Sequence, residues 1–352
     1  MDDWDRFVVA EKRAEAPGTW TLRLVPEDGG DVPRGQAGQY LTLRFDLPGE
    51  ALPQVRCYSL SHAPERGAYE VTIKETRREG GEPGRVSGFV NRALAAGAVV
   101  ELRPPAGSFV VEATRGPLVF VAGGIGITPF MSMLRQLERA GSQRPVRLFY
   151  GVRSGAEHPF AAELRELAAR AEWLELHVRY SRPRAEDRAG EDYDEAGRVD
   201  LELLKRSLPP SDVPYHFYVC GPAPMLESLS GGLAELGVPA SHVHVEAFQA
   251  QTLEPLTKRL RKLRPGEALP RVRFAQSEVE AEWDPEAGSL LDFAMDREVF
   301  LPFACATGHC GTCASSLLSG EVDYVIPPQF RVREGQCLPC IAQPKTDVVL
   351  DL

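Results

Sequence analysis

Two rhythms of apolar and polar positions divide this chain. Residues 6–112 alternate apolar and polar side chains between frequent Gly and Pro, the period-two signature of strands with one buried face. Phe7-Val8-Val9-Ala10, Trp20–Val25, Tyr40–Phe45 and Tyr69–Lys74 read as strands. A helix is expected over Val86–Ala95, opened by Gly84 or capped by Ser87. Many short strands at close spacing predict a small antiparallel barrel. From 116 to 250 apolar strands (Leu118–Ala122, Val146–Tyr150, Leu174–Tyr180, Tyr215–Cys220) alternate with helical stretches (Pro129–Ala140, Phe160–Ala171, Asp200–Ser207, Pro224–Leu236). That order predicts an α/β unit, a parallel sheet with crossover helices. The charged, Gly-containing segment Ala185–Gly197 reads as a surface loop. Residues 251–268 form a basic connector carrying Lys258, Arg259, Arg261, Lys262 and Arg264. The expected layout is therefore multidomain: 1–112, 113–250, a linker over 251–268, and 269–352.

Composition narrows the class. The 352 residues are 43% apolar and 26% charged, as in an ordinary globular protein of two or three domains. Fifty acidic against forty basic residues give a net charge of −10, which argues against a general nucleic-acid binder. From Leu269 onward there are thirteen acids and six bases, so most of the excess charge sits in the final quarter. Such an acidic unit suits a basic docking face on a partner. The acidic start Met1-Asp2-Asp3-Trp4-Asp5 has no apolar run of a secretory signal, and the longest apolar stretch, Leu118–Leu134, is broken by glycines and Pro129. Neither export nor a membrane span is expected. Five of seven cysteines lie in the last 48 residues, which reads as metal ligation in a cytoplasmic protein and not as a disulfide scaffold.

Cys305, Cys310, Cys313 and Cys340 have the C-x4-C-x2-C…C spacing of a plant-type [2Fe–2S] site. Three ligands would come from one small, Gly-bearing loop, Cys305–Cys313, able to aim backbone N–H groups at the sulfurs. Zinc is the rival: Cys310-x2-Cys313 with Cys337-x2-Cys340 makes two knuckles, but leaves Cys305 idle and the glycines unexplained. With iron, Cys337 is the spare, a strand residue in the core. The seven histidines show no ligand pair at metal spacing, and His309 reads as a surface neighbour of the loop.

Two Gly-bearing turns point to phosphate. Gly80–Ser87 leads into the first helix, and Leu118–Ala122 runs into Gly123-Gly124-Ile125-Gly126-Ile127-Thr128-Pro129-Phe130, with Thr128 in N-cap position. The second is not the Rossmann fingerprint, since Pro129 replaces its third Gly, and a plain tight strand–helix turn is the bland reading. Arg153-Ser154 and Ser181-Arg182 follow strands, where arginines can pair a phosphate bidentately, though solvated loop arginines are the commoner case.

These motifs together carry a resemblance. Phe303-Ala304-Cys305, Gly308–Cys313, Ser319-Gly320-Glu321-Val322 and Leu338-Pro339-Cys340 resemble the plant-type ferredoxin domain, an α+β β-grasp fold whose fourth ligand follows Leu-x, which favours Cys340 over Cys337. Arg56-Cys57-Tyr58-Ser59, Lys74 and the Gly80–Ser87 turn are similar to the flavin barrel of the ferredoxin–NADP reductase superfamily. The resemblance implies that Arg56 pairs with flavin phosphate, Tyr58 packs on the isoalloxazine and Ser59 bonds near the reactive N5, with Cys57 beside them. It also implies that Thr72, Ile73 and Lys74 line the flavin, and that Gly84, Val86 and Ser87 hold phosphate. Val86-Ser87-Gly88-Phe89-Val90 favours FAD over FMN, although Val90-Asn91 departs from the usual Leu-His.

The same resemblance implies that Gly123, Gly124, Gly126 and Thr128 form the nicotinamide-side element, that Cys220-Gly221-Pro222 places its Cys by the nicotinamide, and that Glu246 and Phe248 border the flavin–nicotinamide contact. A cysteine such as Cys220 at a strand end is otherwise a buried hydrophobe. Barrel, nicotinamide domain and ferredoxin domain in this order resemble the phthalate dioxygenase reductase-like family. That resemblance implies transfer from NADH or NADPH through flavin and [2Fe–2S] to an oxygenase. A Rieske-type oxygenase or demethylase is the first expectation, a cytochrome P450 or hybrid-cluster protein the second. A zinc-stabilised nucleotide-binding module without electron transfer is the alternative of another class.

Overall fold

A computed structural model describes residues 4–248 and 269–352, except 34, 51–52, 63–66, 78–80, 300, 304, 305, 307, 309, 327 and 329. The expected linker over 251–268 lies outside the described residues. Two compact units divide the chain, Met1–Gln54 with Tyr58–Phe248 and Val55–Cys57 with Gln249–Leu352.

The chain opens with strands β1 (Asp5–Ala16), β2 (Thr19–Pro26), β3 (Tyr40–Phe45), β4 (Gln54–Ser59) and β5 (Tyr69–Lys74), then helix α1 (Arg85–Arg92) and β6 (Val99–Ala106). They form a six-stranded sheet in the order β4-β3-β6-β1-β2-β5. The bridge Leu60↔Val71 joins the chain just after β4 to β5 and so closes the sheet into a barrel. Alternation does the sorting, as the sequence predicts: Phe7, Val9, Leu22, Leu24, Leu41, Leu43, Val71, Ile73, Val100 and Leu102 all point into one core. Register shifts after Val9 and Ala14 bend the long β1 around it. Helix α1 stops earlier than the expected Ala95. Lys12 Nζ donates to Val90 O, Asn91 O and Leu94 O (2.7–2.9 Å), covering the carbonyls that a helix end leaves free.

The second sheet holds β7 (Leu118–Gly123), β8 (Val146–Val152), β9 (Leu174–Tyr180), β10 (Glu195–Ala196), β11 (His216–Cys220) and β12 (Val243–Glu246). Helices α2 (Thr128–Arg139), α3 (Ala161–Arg170), α4 (Leu201–Ser207) and α5 (Ala223–Glu235) connect them. The order β10-β9-β8-β7-β11-β12 is entirely parallel in its pairings, as predicted. Helices α2 and α3 pack on one face through Phe130, Leu134, Leu164 and Leu167. Helices α4 and α5 cover the other through Leu203, Leu204, Leu226 and Leu229. The chain reverses between β7 and β11, where the carboxyl ends of a doubly wound sheet open a crevice.

Two expectations need correction here. The Ala185–Gly197 loop contains β10, held because Tyr193 stacks on Tyr180 (4.6 Å between centroids) and Asp194 Oδ2 accepts Val178 N–H (2.6 Å). Thr128 is not an N-cap: a 3-10 turn, Gly124–Ile127, runs straight into α2, and the Thr128 hydroxyl donates back to Ile125 O (3.1 Å).

The second unit pairs β13 (Arg271–Phe274), β14 (Val279–Glu282), β15 (Ser315–Ser319), β17 (Gln336–Cys337) and β19 (Val348–Leu350) in the order β14-β13-β19-β15-β17. Helix α6 (Leu290–Met295) follows Ser289, whose Oγ accepts the Asp292 N–H. A two-stranded ribbon joins β16 (Val322–Tyr324) to β18 (Ala342–Pro344). Phe274, Phe293 and Trp283 fill the core with Cys337, Leu338 and Ile341.

His158 supplies a test of the first unit. It is 4% exposed, shares a 2.8 Å hydrogen bond between Nδ1 and the Tyr180 hydroxyl, and burial lowers its pKa to about 4. The unfolded chain takes up a proton below about pH 6.5 that the folded ring refuses. Stability is therefore expected to fall between pH 6.5 and 4, by up to about 3 kcal/mol from this group. His158→Gln should flatten that stretch of the urea-midpoint profile; an unchanged slope would contradict the assignment.

Candidate functional site

The structure places those predicted residues that it describes at strand ends of the two six-stranded sheets and around one loop of the C-terminal sheet. On the barrel, Arg56, Cys57, Tyr58 and Ser59 occupy β4, and Thr72, Ile73 and Lys74 end β5. The antiparallel Leu60↔Val71 bridge puts Ser59 beside Thr72. Ser59 is buried, and Tyr58 meets Phe45 edge-on at 6.5 Å. Ile73 lies in the barrel core, while Thr72 Oγ1 shares a 2.7 Å hydrogen bond with Thr21 Oγ1. Arg56 Nη1 donates to Val55 O (2.7 Å).

Helix α1 begins after Gly84 with no side-chain cap and no acid in its first turn, so its leading N–H groups are suited to an anion. Ser87 Oγ accepts Thr76 N–H (3.1 Å) and shares a 2.9 Å bond with Thr76 Oγ1. A Cβ on Gly84 would stand 2.2 Å from Thr76 Oγ1 and 2.7 Å from Ser87 Oγ, so a side chain there would displace this hydroxyl pair. Thr76 escaped the sequence reading; a hydroxyl on the approach to a helix start is the signal that could have found it. Gly80 lies outside the described residues. Lys74 Nζ meets Glu157 Oε2 at 2.7 Å, tying the end of β5 to the loop after β8. Burial alone would raise the Glu157 carboxyl, but Lys74 and Arg153 hold it below its ordinary value.

At the carboxyl edge of the parallel sheet the glycines divide their work. A Cβ on Gly126 would sit 2.3 Å from Cys220 O, and one on Gly123 would sit 2.6 Å from Pro222 Cδ. Gly126 admits the Cys220 backbone, and Gly123 admits the Pro222 ring. Gly124, at φ +54 with nothing within 4 Å of an added Cβ, faces open space. Cys220 is fully buried, and burial first, then Glu246, push its thiol well above the ordinary value. It is a neutral thiol, paired in register with Glu246 on β12. Phe248 follows, 43% exposed. Beyond β8 and β9, the exposed Arg153, Ser181 and Arg182 lie side by side, with Ser181 N–H donating to Val152 O (3.0 Å) and Arg182 N–H to Arg153 O (2.8 Å). Arg153 also pairs with Glu157 at 3.2 Å.

In the second unit Cys313 Sγ and Cys340 Sγ stand 3.0 Å apart, and Thr312 N–H points at Cys310 Sγ (3.5 Å). All three are buried, and none is in a disulfide. Gly311, at φ +69, has the Phe330 ring 2.3 Å from where a Cβ would be, so the loop closes only around glycine. A thiol set with an amide donor turned onto one sulfur fits an iron–sulfur cluster. Cys337 sits on β17 in the core, its thiol pushed up to about 12 by burial and then by Cys313. Cys305 and His309 lie outside the described residues.

A barrel, a parallel sheet with its crevice at β7 and β11, and a converging cysteine loop define a nucleotide-linked redox protein. Residues 120–230 match the oxidoreductase NAD-binding domain, and 272–345 match the 2Fe-2S iron-sulfur cluster binding domain. A flavohemoprotein of Chromobacterium violaceum is 38% identical over 249 residues, which are 70% of this chain and 60% of that one. The chain thus spans about 60% of the length of such curated relatives. The flavohem-like FAD/NAD-binding domain of a Vibrio cholerae nitric oxide dioxygenase is 32% identical, with TM-score 0.62, over 70% of this chain and 99% of that one. Phthalate dioxygenase reductase aligns over 100% of this chain and 98% of its own, at 27% identity and TM-score 0.59. An intact type IV self-sufficient cytochrome P450 monooxygenase aligns with 99% of this chain and 41% of its own, at 25% identity and TM-score 0.67. The chain belongs to the ferredoxin–NADP reductase superfamily, in the form that carries a C-terminal [2Fe–2S] ferredoxin domain.

Gly126→Ala tests the meeting of the two strand ends. Overpacking against a carbonyl is expected to cost about 1–3 kcal/mol and to weaken NAD(H) binding. Gly124→Ala should cost about 1 kcal/mol for its left-handed backbone alone. Thermal unfolding and NADH titration of both variants check the order; equal effects would contradict it.

Proposed function

We propose that the protein is an NAD(P)H-dependent reductase that delivers electrons through FAD and its [2Fe–2S] cluster to an external acceptor, a Rieske-type oxygenase or demethylase, in the cytoplasm. The observation that carries this reading is the end-to-end match to phthalate dioxygenase reductase, a protein described as modular for electron transfer from pyridine nucleotides to [2Fe–2S]. In this reading residues 1–112 hold the flavin, 113–250 the nicotinamide nucleotide and 269–352 the cluster. Bound flavin supplies the change from a two-electron hydride to single electrons.

The chain's own groups position the reactants. Arg56 and the first-turn N–H groups of α1, with Gly84, Val86 and Ser87, take the flavin phosphates. Tyr58, Ser59, Thr72, Ile73 and Lys74 border the ring, Ser59 nearest its reacting edge. Thr128, Cys220, Glu246 and Phe248 flank the nicotinamide, and the Gly123–Gly126 turn with Gly221 and Pro222 receives its phosphates. The thiol of Cys220, buried and neutral, orients without charge. Arg153, Ser181 and Arg182 stand at the adenosine end. Cys310, Cys313 and Cys340, with Cys305, ligate the cluster.

A second reading, delivery to a cytochrome P450, is favoured by the match of nearly the whole chain to part of the self-sufficient monooxygenase. Mixing the reduced protein with a Rieske oxygenase or with a P450 and following acceptor reduction separates the two readings.

Anaerobic titration with NADH and then NADPH should bleach flavin absorption and the broader cluster bands, and the donor that does so at stoichiometric amounts is the physiological one. A colourless protein purified with cofactors supplied would overturn the proposal. Cys310→Ser is expected to abolish reduction of one-electron protein acceptors while leaving ferricyanide reduction by NAD(P)H within about twofold. Loss of both, with an intact flavin spectrum, would contradict this electron path.

A further inference from the structure

The parallel sheet has a second cluster of chemistry at its opposite, amino-terminal edge, away from the Gly126–Cys220 crevice. β11 and β12 run parallel with Tyr218 opposite His244, so period-two alternation sets His216, Tyr218 and His244 on one face. His242, in the 3-10 turn before β12, lies with its ring centroid 4.4 Å from that of His216. Tyr218 stacks on His244 at 4.2 Å and 15°, fixing that ring. Glu112, on the connection from β6 to β7, reaches the same place. One ligand atom each from Glu112, His216 and His244 lie within 4.8 Å of one another.

Bonds of about 2.0–2.1 Å in tetrahedral geometry require ligand atoms about 3.4 Å apart. An ion would have to draw the three atoms together by up to about 1.4 Å, chiefly through the half-exposed Glu112 side chain, since His244 is held by its stack on Tyr218. Hydrogen bonding gives the independent sign. His216 is 6% exposed, yet its Nδ1 has no partner, and neither has Nε2 of His244 or Nδ1 of His242. Buried ring nitrogens are ordinarily satisfied, so three orphans in one cluster call for a ligand.

The nearby cation is committed elsewhere. Arg144 donates to Gly116 O (2.6 Å), Glu112 O (2.9 Å) and Thr114 Oγ1 (2.8 Å), and so braces the connection that carries Glu112. The Glu112 carboxylate stands 4.0 Å from His244 Nε2 and supplies the negative charge. Imidazole with one carboxylate suits zinc and its neighbours, whereas magnesium and calcium take oxygen sets.

We propose that Glu112, His216 and His244 form a binding site for a divalent transition-metal ion of the zinc class, with His242 in reach as a further donor. The ion would clamp the β6–β7 connection to β11 and β12. The site lies at the end of the sheet opposite the crevice and uses none of the cluster cysteines, so it does not depend on the electron-transfer reading.

The test uses the full chain loaded with flavin and cluster. Zn2+ is titrated against a chromophoric chelator, and zinc and iron are counted after dialysis, with cluster absorption confirming that the cysteines remain occupied. One zinc per chain is expected for the wild type, with a rise in melting temperature. His244→Gln and Glu112→Gln, both at positions with solvent access, should each weaken zinc binding at least tenfold and leave ferricyanide reduction unchanged. No retained zinc in the wild type, or equal affinity in wild type and both variants, would overturn the proposal.

Discussion

Gly126 and Cys220 approach so closely that no side chain fits between them, and the rest of the first unit is arranged around that approach. β7 and β11 pair in parallel, Ala122 opposite Cys220, and both chains must turn immediately beyond the pair. Each then enters a helix with a proline in its first turn, Pro129 in α2 and Pro224 in α5. The two helices leave to opposite faces, as their separate core contacts show. Their starts therefore flank one crevice, and the amide dipoles of both point to the same small volume. The glycines serve the backbone crossing, and ligand affinity follows from the crossing.

That crevice works only if the barrel is held in register with it. The ties between them are polar and specific. Lys74 reaches Glu157, and Arg135 forks onto Glu163 (2.5 and 2.6 Å) while donating to Ser61 O at 2.7 Å. Gln136 Oε1 accepts Ala37 N–H at 3.2 Å, one turn along α2 from residues that pack beneath the crevice. Partly exposed pairs of this kind contribute on the order of 1 kcal/mol each, so their value lies more in orientation than in stability. Lys74 and Ser61 both flank the closure between β4 and β5, so the ties act on the barrel edge that carries Tyr58 and Ser59.

What the sequence made legible is local. Period-two alternation placed β1, β2, β3 and β5 but not β6, and β9 was read at its observed bounds because Leu174, Leu176, Val178 and Tyr180 alternate strictly with polar residues. The cysteine spacing was legible for the same reason: Cys310 and Cys313 belong to one loop whose geometry is set by the residues between them. What escaped depended on partners far along the chain. β10 exists because Tyr193 finds Tyr180, and no local propensity marks a two-residue strand. Thr128 looked like a cap because Thr before Pro usually is one; the 3-10 turn ahead of it removes the free N–H groups that a cap would serve.

The histidines carry the same distinction into chemistry. Spacing along the chain reveals a metal site when its ligands share a loop or a helix, because then the intervening residues fix the distance. His216 and His244 are twenty-eight residues apart, and Glu112 more than a hundred from either, so their spacing holds no signal. Only the parallel pairing of β11 with β12, and the return of the chain into β7 beside β11, brings them together. A sheet edge made of strands distant in sequence can therefore assemble a ligand set that no motif search would find. Unsatisfied buried nitrogens are the surer sign of such a set, because they register a cost that the fold itself has not met.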